Sequence, residues 1–174
     1  MFERDVIRRL EAAEIEYFVT GSVALGAWAT FRQTNDVDIV IHIPPADYES
    51  RLRPAFEPDY IVNSLSPRGI KWLGAVISIA EAQKADMIVR GPDEWGEDAF
   101  ARRVRIADPA LGDVWVSSPE DLVIAKLEFS EGGRSPRQLD DCRVIVRTRR
   151  DLDWEYLERH AEGLGLRSLL AAVR

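Results

Sequence analysis

The sequence has little cysteine, little histidine and no apolar run of membrane length. Cys142 is the only cysteine in 174 residues, so no disulfide can form within the chain and its stability must come from packing. That usage fits a reducing compartment. His42 and His160 are the only histidines, and with a single cysteine they make no zinc set of the usual Cys/His kind. The apolar runs fall far short of the roughly 20 residues of a membrane helix. The opening residues, Met1-Phe2-Glu3-Arg4-Asp5, lack the apolar stretch of a secretory signal. The expectation is a cytoplasmic protein with no membrane association. Positive charge is also in deficit: a net charge of −7 argues against a protein that coats nucleic acid over its whole surface.

What is present suits one globular domain with a helical appendage. A hydrophobic fraction of 46% is enough for a core without cross-links at this length. Basic charge is local. Arg134, Arg137, Arg143, Arg147, Arg149 and Arg150 face only Asp140 and Asp141 in the same stretch, and Arg102, Arg103 and Arg105 form a second group. Each group reads either as a solvated helix face or as a site for phosphates or RNA.

The apolar spacing of Phe2, Val6, Ile7, Leu10 and Ala13 predicts a helix over 2–14. Tyr17-Phe18-Val19-Thr20 predicts a short strand, broken by Gly21-Ser22 and followed by a helix over 23–30. Residues 36–43 alternate as a strand, with Val37, Ile39 and Ile41 on one face and Asp36, Asp38 and Val40 on the other. A helix over 46–56 follows Pro44-Pro45. Strands are expected over 60–66, 73–80 and 85–89, the last two pairing across Glu81-Ala82-Gln83-Lys84. A helix over 92–103 and a strand pair at 104–106 and 114–116 complete the first part. Ser118-Pro119-Glu120-Asp121 combines a cap, proline in the first turn and acids at the positive end of the helix dipole, so a helix starts there and runs to Ser130 before Gly132-Gly133. Two more helices are expected, over 137–148 and 153–173. The plan is α+β: a mixed β-sheet flanked by helices in residues 1–116, with a helical C-terminal region over 117–174 packed on it.

The chemistry lies in the carboxylates. On one strand Asp36 and Asp38 point to the same face, about 7 Å apart by strand rise. Two such carboxylates repel unless a cation lies between them, and hard cations such as Mg²⁺ prefer carboxylate oxygen. Asp86, in Lys84-Ala85-Asp86-Met87-Ile88-Val89, is an acid in an otherwise apolar strand. If its strand adjoins the first, it completes a triad able to hold two metals about 3.5–4 Å apart; the other reading pairs Asp86 with Lys84. Gly21-Ser22, separated from Asp36 by thirteen residues, adds a turn where backbone can approach phosphate. Lys126 shares an apolar stripe with Leu122, Val123 and Phe129. It is either a lysine whose stem lies on that surface while the ammonium reaches water, or a cation aimed at phosphates. His42 alternates onto the aspartate face as a strand-end histidine.

Strand, Gly-Ser turn, short helix and Asp36-Val37-Asp38 entering an apolar strand resemble the nucleotidyltransferase superfamily typified by DNA polymerase β, over residues 15–90. Ser-Pro-Glu-Asp-Leu with Lys126, then Asp140-Asp141, is most similar to the AbiEii-type toxin nucleotidyltransferases, with Asp141 the better match for that family's aspartate and Asp140 its competitor. The resemblance implies metal-dependent transfer of a nucleoside monophosphate from an NTP to an acceptor hydroxyl. Asp36, Asp38 and Asp86 would hold Mg²⁺ or Mn²⁺, and Asp86 would help deprotonate the acceptor. Gly21, Ser22, Arg32, Lys126 and Asp141 would bind the nucleotide. The implied acceptor is tRNA, held through Arg134, Arg137, Arg143 and Arg147, with the chain as the toxin of a toxin–antitoxin pair and a cognate antitoxin as partner. Two alternatives stand beside it: transfer to a small, antibiotic-like molecule, and an inactive nucleotide-binding protein of the same fold.

Overall fold

The computed structural model describes residues 1–30 and 36–174. Helix α1 (Phe2–Ala12) buries Phe2, Val6, Ile7 and Leu10 along one stripe, the helical spacing the sequence shows. Strand β1 (Tyr17–Thr20) runs directly into α2 (Gly21–Trp28), and β2 (Val37–Ile41) follows, its burial alternating residue by residue. A single 3-10 turn at Pro45–Asp47 leads into α3 (Tyr48–Phe56), which buries Tyr48, Leu52 and Phe56. Then come β3 (Tyr60–Arg68), β4 (Lys71–Ser78), β5 (Lys84–Arg90), α4 (Glu94–Ala101), β6 (Val104–Asp108) and β7 (Gly112–Val116). Four helices close the chain: α5 (Pro119–Phe129), α6 (Pro136–Thr148), α7 (Trp154–Gly163) and α8 (Arg167–Val173).

The seven strands form one sheet in the order β3-β4-β5-β2-β1-β7-β6. Pairs β2–β5 and β1–β7 are parallel and the rest antiparallel, so the sheet is mixed. Its pleat separates two faces. Val37, Ile39 and Ile41 share one face with their β5 partners Ala85, Met87 and Val89, all buried. On the other face, Phe18, Val40 and Ile88 lie beneath α4 and α5, which cover them with Trp95, Ala99, Ala125 and Phe129. Buried residues from Phe2 to Val173 belong to one apolar cluster.

The helix starts follow local chemistry. Ser118 Oγ accepts from the Asp121 amide with Pro119 next to it, as the sequence motif implies. Asp93 and Asp153 cap α4 and α7 in the same way. One expectation is corrected: the helix expected over 153–173 is two helices. The break falls at Leu164-Gly165-Leu166, where Gly165 has φ +69°, a left-handed conformation that ends α7 before α8 begins. Among the described residues no helix is long and apolar enough to cross a membrane.

Candidate active site

The parallel pairing of β2 with β5 sets Asp38 directly beside Asp86, and the antiparallel pairing with β1 sets Thr20 on the other side of Asp38. The sequence reading of Asp86 as a residue on the neighbouring strand thus has its geometry. Neighbouring strands lie about 4.8 Å apart, so the two carboxylates are lateral neighbours on one face. They open into a cleft of about 380 Å³ that Asp36, Gly21 and Ser22 also line, together with Lys126 and Phe129 from α5 and Arg137 and Gln138 from α6.

Gly21 is fixed there by two constraints. Its φ is +64°, and a Cβ at this position would overlap the Asp38 carboxylate. Only glycine lets β1 turn into α2 this close to the acid. Asp38 is titrated upward: burial is the first cause and the charge of Asp86 the second, with Lys126 opposing and Asp36 adding to it. A desolvated carboxylate facing two others favours a bound cation, and an all-carboxylate donor set suits a hard divalent ion. The residues therefore fit Mg²⁺ or Mn²⁺.

The triad is open rather than closed. Asp86 Oδ2 is engaged by Lys84 Nζ at 2.9 Å, the pairing the sequence offered as the other reading. That hydrogen bond is the main reason the Lys84 ammonium holds its proton more firmly than usual. Among the described residues only Glu94, Asp98 and His160 bring three potential ligand atoms within 4.8 Å of one another. That cluster already contains its cation: Arg159 Nη2 donates to Asp98 Oδ2 at 2.9 Å and lies 3.0 Å from His160 Nε2. It is an ion-pair knot between α4 and α7.

Lys126 differs from its surface reading. Its side chain is 5% exposed and the ammonium does not reach out to water, because α6 packs on α5 and brings Asp141 Oδ2 to 2.7 Å from Nζ. Gln138 Oε1 lies 3.4 Å from the same ammonium. Asp140 is exposed and pairs with Arg143 instead, so the structure separates the two aspartates: Asp141 faces the lysine, Asp140 faces solvent. Arg32 lies outside the described residues. His42 is half exposed at the end of β2, stacked 4.4 Å from Phe100 and away from the cleft lining.

The basic groups are mostly committed elsewhere. Arg134, Arg143 and Arg149 pair with Glu131, Asp140 and Asp151, while Arg137 lines the cleft. Arg102, Arg103 and Arg105 pair with Glu120, Glu16 and Glu11, and lie over the rings of Tyr156, Phe100 and Trp115. This second group holds elements together.

Sequence reasoning missed the work of Ser-Pro-Glu-Asp beyond the cap. Asp121, 1% exposed, accepts from Trp95 Nε1 at 2.9 Å, Tyr156 OH at 2.6 Å and Ser118 Oγ at 2.6 Å. Glu120 accepts from the Asp153 amide at 2.9 Å and from Arg102 at 3.1 Å. The start of α5 is thus bolted to α4 and α7, which fixes Lys126, less than two turns on, over the carboxylates. An acid pair opening an apolar helix was the available signal; its partners were not. Gln138 and Phe129 were also missed as cleft residues.

No protein-family model matches the sequence, and no curated protein matches it. Solved structures do. A Thermotoga maritima protein described as a candidate nucleotidyltransferase superposes with TM-score 0.57 at 16% identity, over 76% of this chain and 84% of that one. The antibiotic-resistance factor ANT(2'')-Ia, in its solution structure, gives 0.51 at 15% identity over 97% and 86%. The crystal structure of ANT(2'')-Ia in complex with adenylyl-2''-tobramycin gives 0.50 at 14% over 99% and 94%. The fold is that of the nucleotidyltransferases. At these identities the likeness speaks for the fold, and the case for chemistry rests on the cleft itself: a nucleotidyltransferase sheet whose two central strands bring Asp38 and Asp86 together beneath a glycine turn.

Proposed function

We propose that this chain transfers a nucleoside monophosphate from an NTP to an acceptor hydroxyl, releasing pyrophosphate. The observation that carries the reading is the lateral pairing of Asp38 with Asp86, with Lys126 lining the same cleft. Asp36, Asp38 and Asp86 would hold a divalent ion, Mg²⁺ or Mn²⁺, which when bound offsets triphosphate charge and stabilises the leaving pyrophosphate. The chain's own groups supply the rest. Gly21 and Ser22 let backbone approach the triphosphate, Lys126 attracts phosphate oxygen from a position set by Asp141 and Gln138, and Asp86 accepts the proton of the attacking hydroxyl.

Two acceptor classes are proposed. The AbiEii-like reading takes tRNA as acceptor, with the chain as a toxin countered by an antitoxin; Arg137 at the cleft and Arg147 beyond it on α6 support a nucleic-acid path. The second reading, a small-molecule acceptor, is favoured by the close pairing of Arg143 with Asp140 at 2.7 Å, which engages one of the four arginines assigned to that path.

The test is calorimetric titration of NTP with and without Mg²⁺ into the protein and its Asp38→Asn variant, followed by label transfer from each NTP to bulk tRNA. Metal-dependent binding in the parent alone supports the reading, and label on tRNA selects the first acceptor class. Parent protein that binds no NTP in the presence of Mg²⁺ would overturn it.

A further inference from the structure

Among the described residues of the cleft, Phe129 is the one large apolar side chain that stays open. It is 36% exposed, on the last turn of α5, and it lines both the carboxylate cleft and the narrower apolar cavity beside it. The two cavities also share Thr20, Ile88 and Ala125, so the floor at this end is aliphatic and the wall is the phenyl ring. Lys126 lies three residues earlier on the same helix, where side chains are neighbours, so one nucleotide can touch both. Lys71 Nζ lies 4.0 Å from the centroid of the ring and covers one face; the remaining exposure belongs to the rest of the ring.

The polar groups around it are bound to one another. Lys71 donates to Glu128 at 2.6 Å, Arg90 donates to the same carboxylate at 3.0 Å, and Arg90 grips Asp93 through two bonds of 2.6 Å. A base entering here meets hydrocarbon and the ring before any donor or acceptor of this network; Ser135, Arg137 and Gln138 line the same cleft, and Gln138 Oε1 is engaged by the Lys126 ammonium at 3.4 Å.

We propose that Phe129 is the stacking platform for the base of the NTP, so that the base is recognised by its face and not by its hydrogen-bonding edge. This rests on the NTP reading above. Stacking is tolerant of base identity and grows with ring area. ATP and GTP therefore bind alike, and both bind more tightly than CTP and UTP.

The test titrates the full chain, with Mg²⁺, with ATP, GTP, CTP, UTP and inorganic tripolyphosphate, in the parent, Phe129→Leu and Phe129→Ala. The leucine variant keeps apolar volume without a ring and carries the test if the alanine variant fails to fold. Expected are about tenfold weaker ATP and GTP binding and unchanged tripolyphosphate binding. Equal losses for ATP and tripolyphosphate, unchanged ATP affinity, or a tenfold preference between ATP and GTP would each overturn the platform. Parent protein that binds neither NTP nor tripolyphosphate defeats the nucleotidyltransferase reading itself, and the platform with it.

Discussion

Gly21→Ala is the substitution on which the site geometry makes its sharpest demand. Two penalties are separable. Alanine at φ +64° costs about 1–2 kcal/mol, the penalty of left-handed backbone for an L-residue. The added methyl also overlaps Asp38 Oδ2, and stands 2.9 Å from its Cγ and 3.2 Å from its Cβ. Because the conflict reaches the Asp38 Cβ, rotating the carboxylate does not clear it, and strand β2 is held on both sides. Overpacking of this kind costs about 1–3 kcal/mol. The total of about 2–5 kcal/mol lowers Tm by roughly 4–20 °C for a domain of this size.

The two parts are distinguished by a double-mutant cycle. Asp38→Ala removes Oδ2 and Cγ and leaves only the 3.2 Å contact with Cβ, so Gly21→Ala in that background should cost the backbone share plus that residual contact, leaving a coupling of up to about 1–3 kcal/mol. The activity arm is independent. A displacement of Asp38 by about 1 Å should lower label transfer at least 100-fold. Strictly additive losses in denaturant unfolding, or a Gly21→Ala protein with parental transfer, would refute the close approach of turn and carboxylate.

Asp38→Asn should stabilise the metal-free protein near pH 7. Burial first, then Asp86, raises the Asp38 pKa, so ionisation costs the folded state stability as pH rises through the ordinary carboxylate value and on to the raised one. Melting in EDTA should show the variant ahead at pH 7, with the gap closing toward pH 4. Asp5 shifts the other way. Burial opposes its ionisation, but hydrogen bonds from Arg8, Arg9 and Tyr60 outweigh it and hold the pKa at about 2. Its contribution is present above the ordinary carboxylate value of 3.8 and lost as pH falls through about 2, so the deficit of Asp5→Asn should shrink over that window. Asp121→Ala strands the Trp95 and Tyr156 donors and should cost about 2–5 kcal/mol by denaturant unfolding; a loss below 1 kcal/mol would mean that the Asp121 hydrogen bonds carry little. Lys126→Met removes the ammonium 2.7 Å from the buried Asp141 carboxylate and should destabilise by about 1–3 kcal/mol. Adding Asp141→Leu should restore stability while NTP affinity stays low. Recovery of both would reduce Lys126 to a structural partner.

What the sequence showed and what it hid divide along a physical line. Alternation in β2, the apolar stripe of α1 and the Ser118-Pro119 start of α5 are local, and each is visible in consecutive residues. The acid in the apolar run 84–89 was a local anomaly too, and it pointed to the right strand. Register was not legible: β3 and β4 intervene between β2 and β5, and only the closed sheet sets Asp38 beside Asp86. Ion pairs that cross elements were equally hidden. Lys126 finds Asp141 because α6 folds back on α5, and Arg102, Arg103 and Arg105 are matched to Glu120, Glu16 and Glu11 across the fold. The basic run at 102–105 was therefore poor evidence of a free basic surface.

The Ser-Pro-Glu-Asp motif joins the two scales. As a cap it sets where α5 begins, and as a buried acceptor for Trp95 and Tyr156 it sets how α5 lies between α4 and α7. Start and orientation together decide where Lys126 and Phe129 project, because both sit at fixed helical spacing from the cap. Loosening Asp121 should therefore be felt at the carboxylate cleft, although its side chain is turned to α4 and α7: Asp121→Asn, milder than alanine, should raise the KM for NTP at a temperature where the fold is intact. An unchanged KM in a measurably destabilised variant would separate the motif's structural work from the site.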